Sequence, residues 1–338
     1  MSGSDHRRLS RSPAAAFLLG SLVLLLAACQ PLGEEEPEGS EPPASGGDGG
    51  TARLSIATGG TGGVYFPLGG GLADLISENL EGYTATAEET NASVDNMNLI
   101  ASGDSDIAFV LGDTASDAVA GSGEFEGQAI EACALGILYT NFTQLVASAD
   151  SGITSVADLA GKRVSMGEAG SGTEIIGIRV LEAAGLDPDA DIERTQLGVA
   201  ETVDALRDGT LDAGFWSGGL PTGALVDYAS TGDMVLVPTG EFAADLQEAY
   251  GEYYLESEIP AGIYEGQEEA VTVVGVPNVL VVNTSMDEGL QEQLTALIFE
   301  HKDDLVAVHP AAEELDQETA DEVAFMDVCP GAQTFYGS

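Results

Sequence analysis

The chain has 338 residues, with 57 Asp and Glu against 10 Lys and Arg, for a formal net charge of -47. That balance excludes nucleic-acid binding through phosphate contacts, which needs a basic surface to displace counterions. Hydrophobic residues make up 44% and aromatics 6%, so the chain can bury real cores, and its length fits about two domains.

The N-terminus has the parts of an export signal. Arg7, Arg8 and Arg11 supply a positive end, followed by a mostly small or apolar run from Ala14 to Ala28. That run is short for a membrane span, which needs about 20 residues. It ends in Leu26-Ala27-Ala28-Cys29, which looks like the lipobox of bacterial lipoproteins. Residues 1–28 are therefore expected to be a lipoprotein signal peptide and Cys29 the lipidated residue, with Sec or twin-arginine export both open. Residues 29–51 are Gly, Pro, Glu and Ser with little apolar content, and predict a flexible tether. Removal of residues 1–28 takes away three Arg and one Asp, so 7 basic and 56 acidic residues remain and the charge becomes -49. Such a surface repels itself strongly unless salt screens it, which reads as adaptation to a saline habitat. No later segment is long and apolar enough to cross a membrane.

From residue 52 the chain repeats strand, Gly-rich loop and helix, a parallel α/β pattern. Leu54–Thr58 predicts a strand, followed by Gly59-Gly60-Thr61-Gly62-Gly63 and a helix over Pro67–Glu78. A strand at Tyr83–Ala87, a helix at Val94–Ser102 and a strand at Asp106–Leu111 come next. The pattern restarts with a strand at Arg163–Met166, a loop at Glu168–Thr173, a helix over Glu174–Ala184 and a strand at Ala213–Ser217. Two longer apolar runs, Ile137–Ala147 and Ala270–Asn283, bracket this second set and read as strands passing between lobes. The expected fold is therefore α/β and two-lobed, of the type II periplasmic-binding-protein kind, with two parallel or mixed sheets, flanking helices and a strand hinge. Residues 52–140 and 280–338 would form lobe I and residues 141–279 lobe II. Two independent α/β domains in series are the alternative.

The chemistry resides in the two Gly-rich loops. A loop between strand and helix aims backbone N–H groups and the positive helix end at one point, and so holds an anion without a basic side chain. Two such loops in equivalent places suggest a cleft that grips one anionic ligand from both sides. Other motifs fail on particular residues: neither loop has the Lys of a P-loop, and GxGxxG meets Tyr65 or Ile175 at its last position. Asp187-Pro188-Asp189-Ala190-Asp191 starts like a calcium loop, but Ile192 takes the place of the turn Gly, leaving a solvated acidic connector. Ser217 in Phe215-Trp216-Ser217-Gly218-Gly219 lacks the first Gly of GxSxG. His301 and His309 have no metal-ligand spacing and read as surface or helix-end residues. No catalytic residue, metal or cofactor is expected, and the chain reads as a non-enzyme. Cys133 and Cys329 are either a disulfide of an exported protein or two buried thiols.

Six segments then appear in order: GTGGVYFPLGG (Gly60 to Gly70), ETNASVDN (Glu89 to Asn96), EAGSGTE (Glu168 to Glu174), DGTLDAGFWSGGLP (Asp208 to Pro221), IPAGIYEGQ (Ile259 to Gln267) and PGAQTFY (Pro330 to Tyr336). On these the chain resembles the TAXI family of solute-binding proteins of TRAP transporters, across essentially all of residues 52–338. The resemblance implies a lipid-anchored extracytoplasmic receptor that binds a small carboxylate, such as glutamate or a dicarboxylate, and hands it to a TRAP membrane permease. By position, Thr61, Gly63 and Tyr65 would line one wall, Ser93 and Asn96 would add hydroxyl and amide contacts, Ser171, Gly172 and Thr173 would face them, and Trp216 would pack on the ligand's carbon skeleton. Their sequence setting also fits an N-cap and a solvated helix face for Ser93 and Asn96, and core packing for Tyr65 and Trp216. Asn91-Ala92, Leu111-Gly112-Asp113 and Cys329 depart from the family pattern. The alternative is a binding protein of an ABC importer or sensor system with another small anion; a monomer is the default in either case.

Overall fold

The computed structural model describes residues 51–231 and 234–337. The expected signal peptide and lipidated Cys29 lie outside the described residues, as does the tether up to residue 50.

In chain order, β1 (Ala52–Ala57), α1 (Tyr65–Asn79), β2 (Tyr83–Glu88), α2 (Ser93–Ser102), β3 (Ile107–Leu111) and α3 (Gly112–Ala120) lead into the long strand β4 (Ala132–Ser148). Then come β5 (Arg163–Ser165), α4 (Gly172–Ala183), β6 (Glu193–Thr195), α5 (Val199–Arg207), β7 (Ala213–Gly218), α6 (Gly223–Ala229), β8 (Met234–Val237), α7 (Ala243–Tyr250) and β9 (Leu255–Ile259). The second long strand, β10 (Val271–Asn283), is followed by α8 (Glu288–Glu300), α9 (Lys302–Val308) and α10 (Pro330–Tyr336).

β1 is parallel to both β2 and β3, and β5 is parallel to both β6 and β7. β4 and β10 run antiparallel to each other and change partners along their length. β10 pairs with β9 over residues 271–275 and with β3 over residues 278–282. β4 pairs with β10 up to Phe142, then with β7 over residues 142–147. Because both strands run through both halves, the two expected sheets join in the order β2-β1-β3-β10-β4-β7-β5-β6.

The strand side chains alternate between two packed faces. Ile107 and Phe109 of β3 pack with Ile76 of α1 and Leu297 of α8; Ala108 and Val110 pack with Met97 and Ile100 of α2. Burial on both faces explains why β3 reads as a continuous apolar run. In the other half, Val164 and Phe215 pack with Ile176 and Val180 of α4, and Val203, Leu206 and Tyr228 cover the opposite face.

Of the two readings of the cysteines, the structure has the disulfide: Cys133 of β4 is bonded to Cys329, 196 residues later. It fixes the start of α10, and Tyr336 Oη adds a hydrogen bond to the Leu135 carbonyl at 2.9 Å. His309 is a helix-end residue: Nδ1 accepts from Ala311 N at 3.1 Å, and Nε2 donates to the Pro221 carbonyl at 3.2 Å. The Asp187 and Asp191 carboxylates accept backbone N–H groups of their own turn. Among the described residues no helix is long and apolar enough to cross a membrane.

Candidate functional site

The two Gly-rich loops come from opposite halves and meet at one cavity. The loop after β1 closes through Gly63 N donating to the Gly60 carbonyl at 3.1 Å, and runs directly into α1, whose N-terminus has no side-chain cap. The loop after β5 enters α4 at Ser171, whose Oγ accepts from Glu174 N at 3.1 Å while Glu174 Oε2 accepts from Gly170 N at 2.9 Å. The Ser171 cap, with Glu174 holding the residue before it, fixes the start of α4. The Gly172 and Thr173 N–H groups, which have no intrahelical acceptor in a first turn, remain for a ligand. α2 is different: its first N–H groups, Val94 and Asp95, donate to the Gly170 carbonyl of the opposing loop at 3.2 and 3.3 Å.

The indole of Trp216, on β7, closes the cavity from the far side. A Cβ on Gly63 would lie 2.8 Å from two of its ring carbons, so only glycine lets the ring approach. Trp216 Nε1 donates to Thr222 Oγ1 at 2.9 Å, which fixes the ring plane. The cavity has a volume of ≈ 20 Å³ at water centres, enough for about one water. A larger ligand therefore requires the halves to separate.

Seven of the nine residues expected at the site line this cavity: Gly63, Tyr65, Ser93, Ser171, Gly172, Thr173 and Trp216. Two are not brought there. Thr61 is exposed outside the cavity lining. Asn96 is fully buried, and its amide is committed to the chain: Nδ2 donates to the Thr58 and Phe109 carbonyls at 2.7 and 2.8 Å, and Oδ1 accepts from Thr90 at 2.6 Å. It ties β1, β3 and α2 together and has no donor left for a ligand. Ser93 Oγ likewise accepts from Leu111 N at 3.1 Å, and Thr173 Oγ1 accepts from Ser217 N at 3.1 Å.

Sequence reasoning missed four residues here. Tyr65 Oη accepts from Asn141 Nδ2 at 3.0 Å and Asn278 Nδ2 at 2.8 Å, one asparagine from each crossing strand. Burial pushes the Tyr65 phenol further up from its ordinary value, so it stays neutral at physiological pH. A buried asparagine inside an apolar strand needs a partner, and that was the available signal for both. Ser217 also lines the cavity; it is 7% exposed and its Oγ has no hydrogen-bond partner. Among the described residues Glu168 is the one charged side chain in the lining. Burial, then the neighbouring Glu201 and Glu89 carboxylates, push its carboxyl up to about 7. It lay inside a motif singled out from the sequence without being given a role.

The family model described as NMT1-like family matches residues 56–337. This chain belongs to the NMT1-like family. The matched range takes in both loops, both crossing strands and every cavity residue of the NMT1-like chain. Similar solved structures include a Bordetella bronchiseptica protein, 17% identical, covering 84% of this chain and 79% of its own with a TM-score of 0.49. The periplasmic aliphatic sulphonate binding protein SsuA from Escherichia coli is 17% identical over 78% of this chain and 79% of its own, with a TM-score of 0.44. A putative L-cystine ABC transporter protein from Listeria monocytogenes is 16% identical over 78% and 94%, with a TM-score of 0.43.

Proposed function

We propose that this NMT1-like chain is an extracytoplasmic solute receptor that binds a small carboxylate between its two halves and delivers it to a membrane transporter. The observation that carries this reading is the meeting of two strand-to-helix glycine loops, from opposite halves, on one cavity that holds the unpartnered Ser217 hydroxyl. The first-turn N–H groups of Gly172 and Thr173 and the Ser217 hydroxyl would hold the carboxylate by charge-assisted hydrogen bonds, which strengthen as water leaves. Trp216 would cover the carbon skeleton. Residues 52–140 with 280–338 and residues 141–279 would act as the two lobes, hinged where β4 and β10 change partners, and closure would commit the ligand. With Cys29 lipidated, the receptor would be tethered outside the cell membrane.

The six ordered segments favour a TAXI-type receptor serving a TRAP permease as the finer assignment. A thermal-shift screen in molar NaCl tests the core of the proposal, with carboxylates, amino acids, alkanesulfonates, sugars and phosphate esters. A ligand at 100 times its dissociation constant adds about 2.7 kcal/mol, a shift of several degrees. The expected result is a shift with a small carboxylate that shrinks in Ser217→Ala, a change that leaves the chain's own hydrogen bonds intact. A shift only with a sugar or a phosphate ester would discard the carboxylate.

A further inference from the structure

Among the described residues the only charged group in the cavity lining is an acid, an unusual choice for a cleft meant to hold a simple anion. Glu168 sits in the loop that leads to α4, half-buried. Among the described residues nothing donates a hydrogen bond to its carboxylate, and no Lys, Arg or His lines the cavity with it. Arg194 pairs with Glu174 at the start of α4 and with Asp189, and not with Glu168. The charged groups facing Glu168 are Glu201 of α5 and Glu89 just after β2, both acidic. A Cβ on Gly198 would lie 2.5 Å from Glu168 Oε1 and 2.6 Å from Glu201 Oε2, so the two carboxylates crowd one point.

A half-buried carboxylate without a donor is destabilising by itself. Its place in the lining opposes a second anion and suits a positive group. A metal ion is a poor fit, since among the described residues no three His, Cys, Asp or Glu side chains come together as ligands. An ammonium needs fewer acceptors and matches what is present: a carboxylate at one place in the cavity, and the start of α4 with the unpartnered, 7% exposed Ser217 hydroxyl at another.

We propose that Glu168 is the specificity-determining residue of the cleft and receives a protonated amine, so that the site selects an amino acid over the same acid without its amine. This rests on reading the cleft as a carboxylate site. Binding of the ammonium would hold Glu168 ionised, so uptake of the ligand at pH 6 to 7 would release a proton from the protein.

The test is titration calorimetry of the purified chain in molar NaCl with three matched pairs: L-alanine and propionate, L-aspartate and succinate, L-glutamate and glutarate. The expected result is at least tenfold tighter binding of the amino acid in one pair, with a heat that depends on the buffer's ionisation enthalpy. In Glu168→Gln the preference should fall towards parity or reverse, while Glu201→Gln retains it. A melting temperature for Glu168→Gln equal to the parent's at pH 4, where both side chains are neutral, establishes that the variant is folded. Equal or tighter binding of the acid without the amine, or a preference unchanged in Glu168→Gln, overturns the inference and leaves the carboxylate receptor standing. No binding of any of the six compounds overturns the small-carboxylate reading and the inference together.

Discussion

Arg179 of α4 reaches across to Asp117 of α3, Nη2 to Oδ2 at 2.5 Å, and so links the two halves beside the cleft. The guanidinium also donates to Tyr254 Oη at 2.7 Å, and Tyr254 donates to the fully buried Asp113 at 2.7 Å. Arg179 itself is 8% exposed. Removing one partner of a buried pair leaves the other uncompensated, at about 3 kcal/mol or more. Arg179→Ala is therefore expected to lower unfolding stability by about 3 kcal/mol in urea titrations. A loss below about 0.5 kcal/mol, the range of an ordinary surface substitution, would mean that this network does not hold the halves together.

Gly63 and Trp216 make a second contact across the cleft, and it responds to volume rather than charge. A methyl at residue 63 would lie 2.8 Å from the indole, so Gly63→Ala should prop the halves apart. Small-angle scattering is expected to show a larger radius in the presence of ligand, with affinity at least tenfold weaker. Unchanged affinity would mean that closure on Trp216 is not needed for binding.

The pH dependence of Glu168 has a definite sign. Its carboxyl is pushed up to about 7 in the folded chain, against about 4.3 in an unfolded one. Between those values the folded state holds more protons, so ionising Glu168 lowers stability as pH rises through that window, and the penalty is complete above it. In the ligand-free protein, Glu168→Gln should raise the melting temperature at pH 8 and leave it unchanged at pH 4. An equal effect at both pH values would place the cause in packing instead.

The disulfide closes a loop with a sequence separation of 196 residues. In the loop-entropy model such a link is worth about 5 kcal/mol. Cys329→Ser should lower the melting temperature by several degrees, and calorimetric scans without reductant would show it. An unchanged transition would indicate that the hydrogen bonds of α10 to β4 suffice without the covalent link.

Salt should matter as well. With a net charge of -47, repulsion is long-ranged at low ionic strength and screened within about 3 Å at 1 M. Circular dichroism is expected to show loss of structure or a depressed melting point at very low NaCl. Full structure and constant melting across the range would remove the saline reading of the composition.

The sequence made the fold legible wherever local pattern and tertiary role agree. Phe109 and Val110 stand in an apolar strand run and are buried on opposite faces; Gly63 and Gly172 stand in strand-to-helix loops and line the cavity. Legibility ended where a side chain's partner lies far along the chain. Asn96 looks like a polar residue on a helix, and only the packing of β1 against β3 shows that its Nδ2 donates to two backbone carbonyls while its Oδ1 accepts from the Thr90 hydroxyl. Asn141 and Asn278 acquire a role only when Tyr65, 76 and 213 residues away, comes between them. Cys133 could be read as a buried thiol until the fold brought Cys329 beside it. Glu168 was visible as a residue type, but its lack of any donor depends on which groups surround it in space.

The most direct test of a ligand held between the halves uses the chain's single tryptophan, Trp216, which lines the cavity. Tryptophan emission, excited at the long-wavelength edge where the nine tyrosines do not absorb, therefore reports from the cleft. Titration with whichever small carboxylate gives the largest thermal shift should produce a saturable change in Trp216 emission, weakened by Ser217→Ala at the same ligand concentrations. A ligand that stabilises the protein while leaving Trp216 emission unchanged would contradict the account, because it would bind somewhere other than the cleft between the two glycine loops.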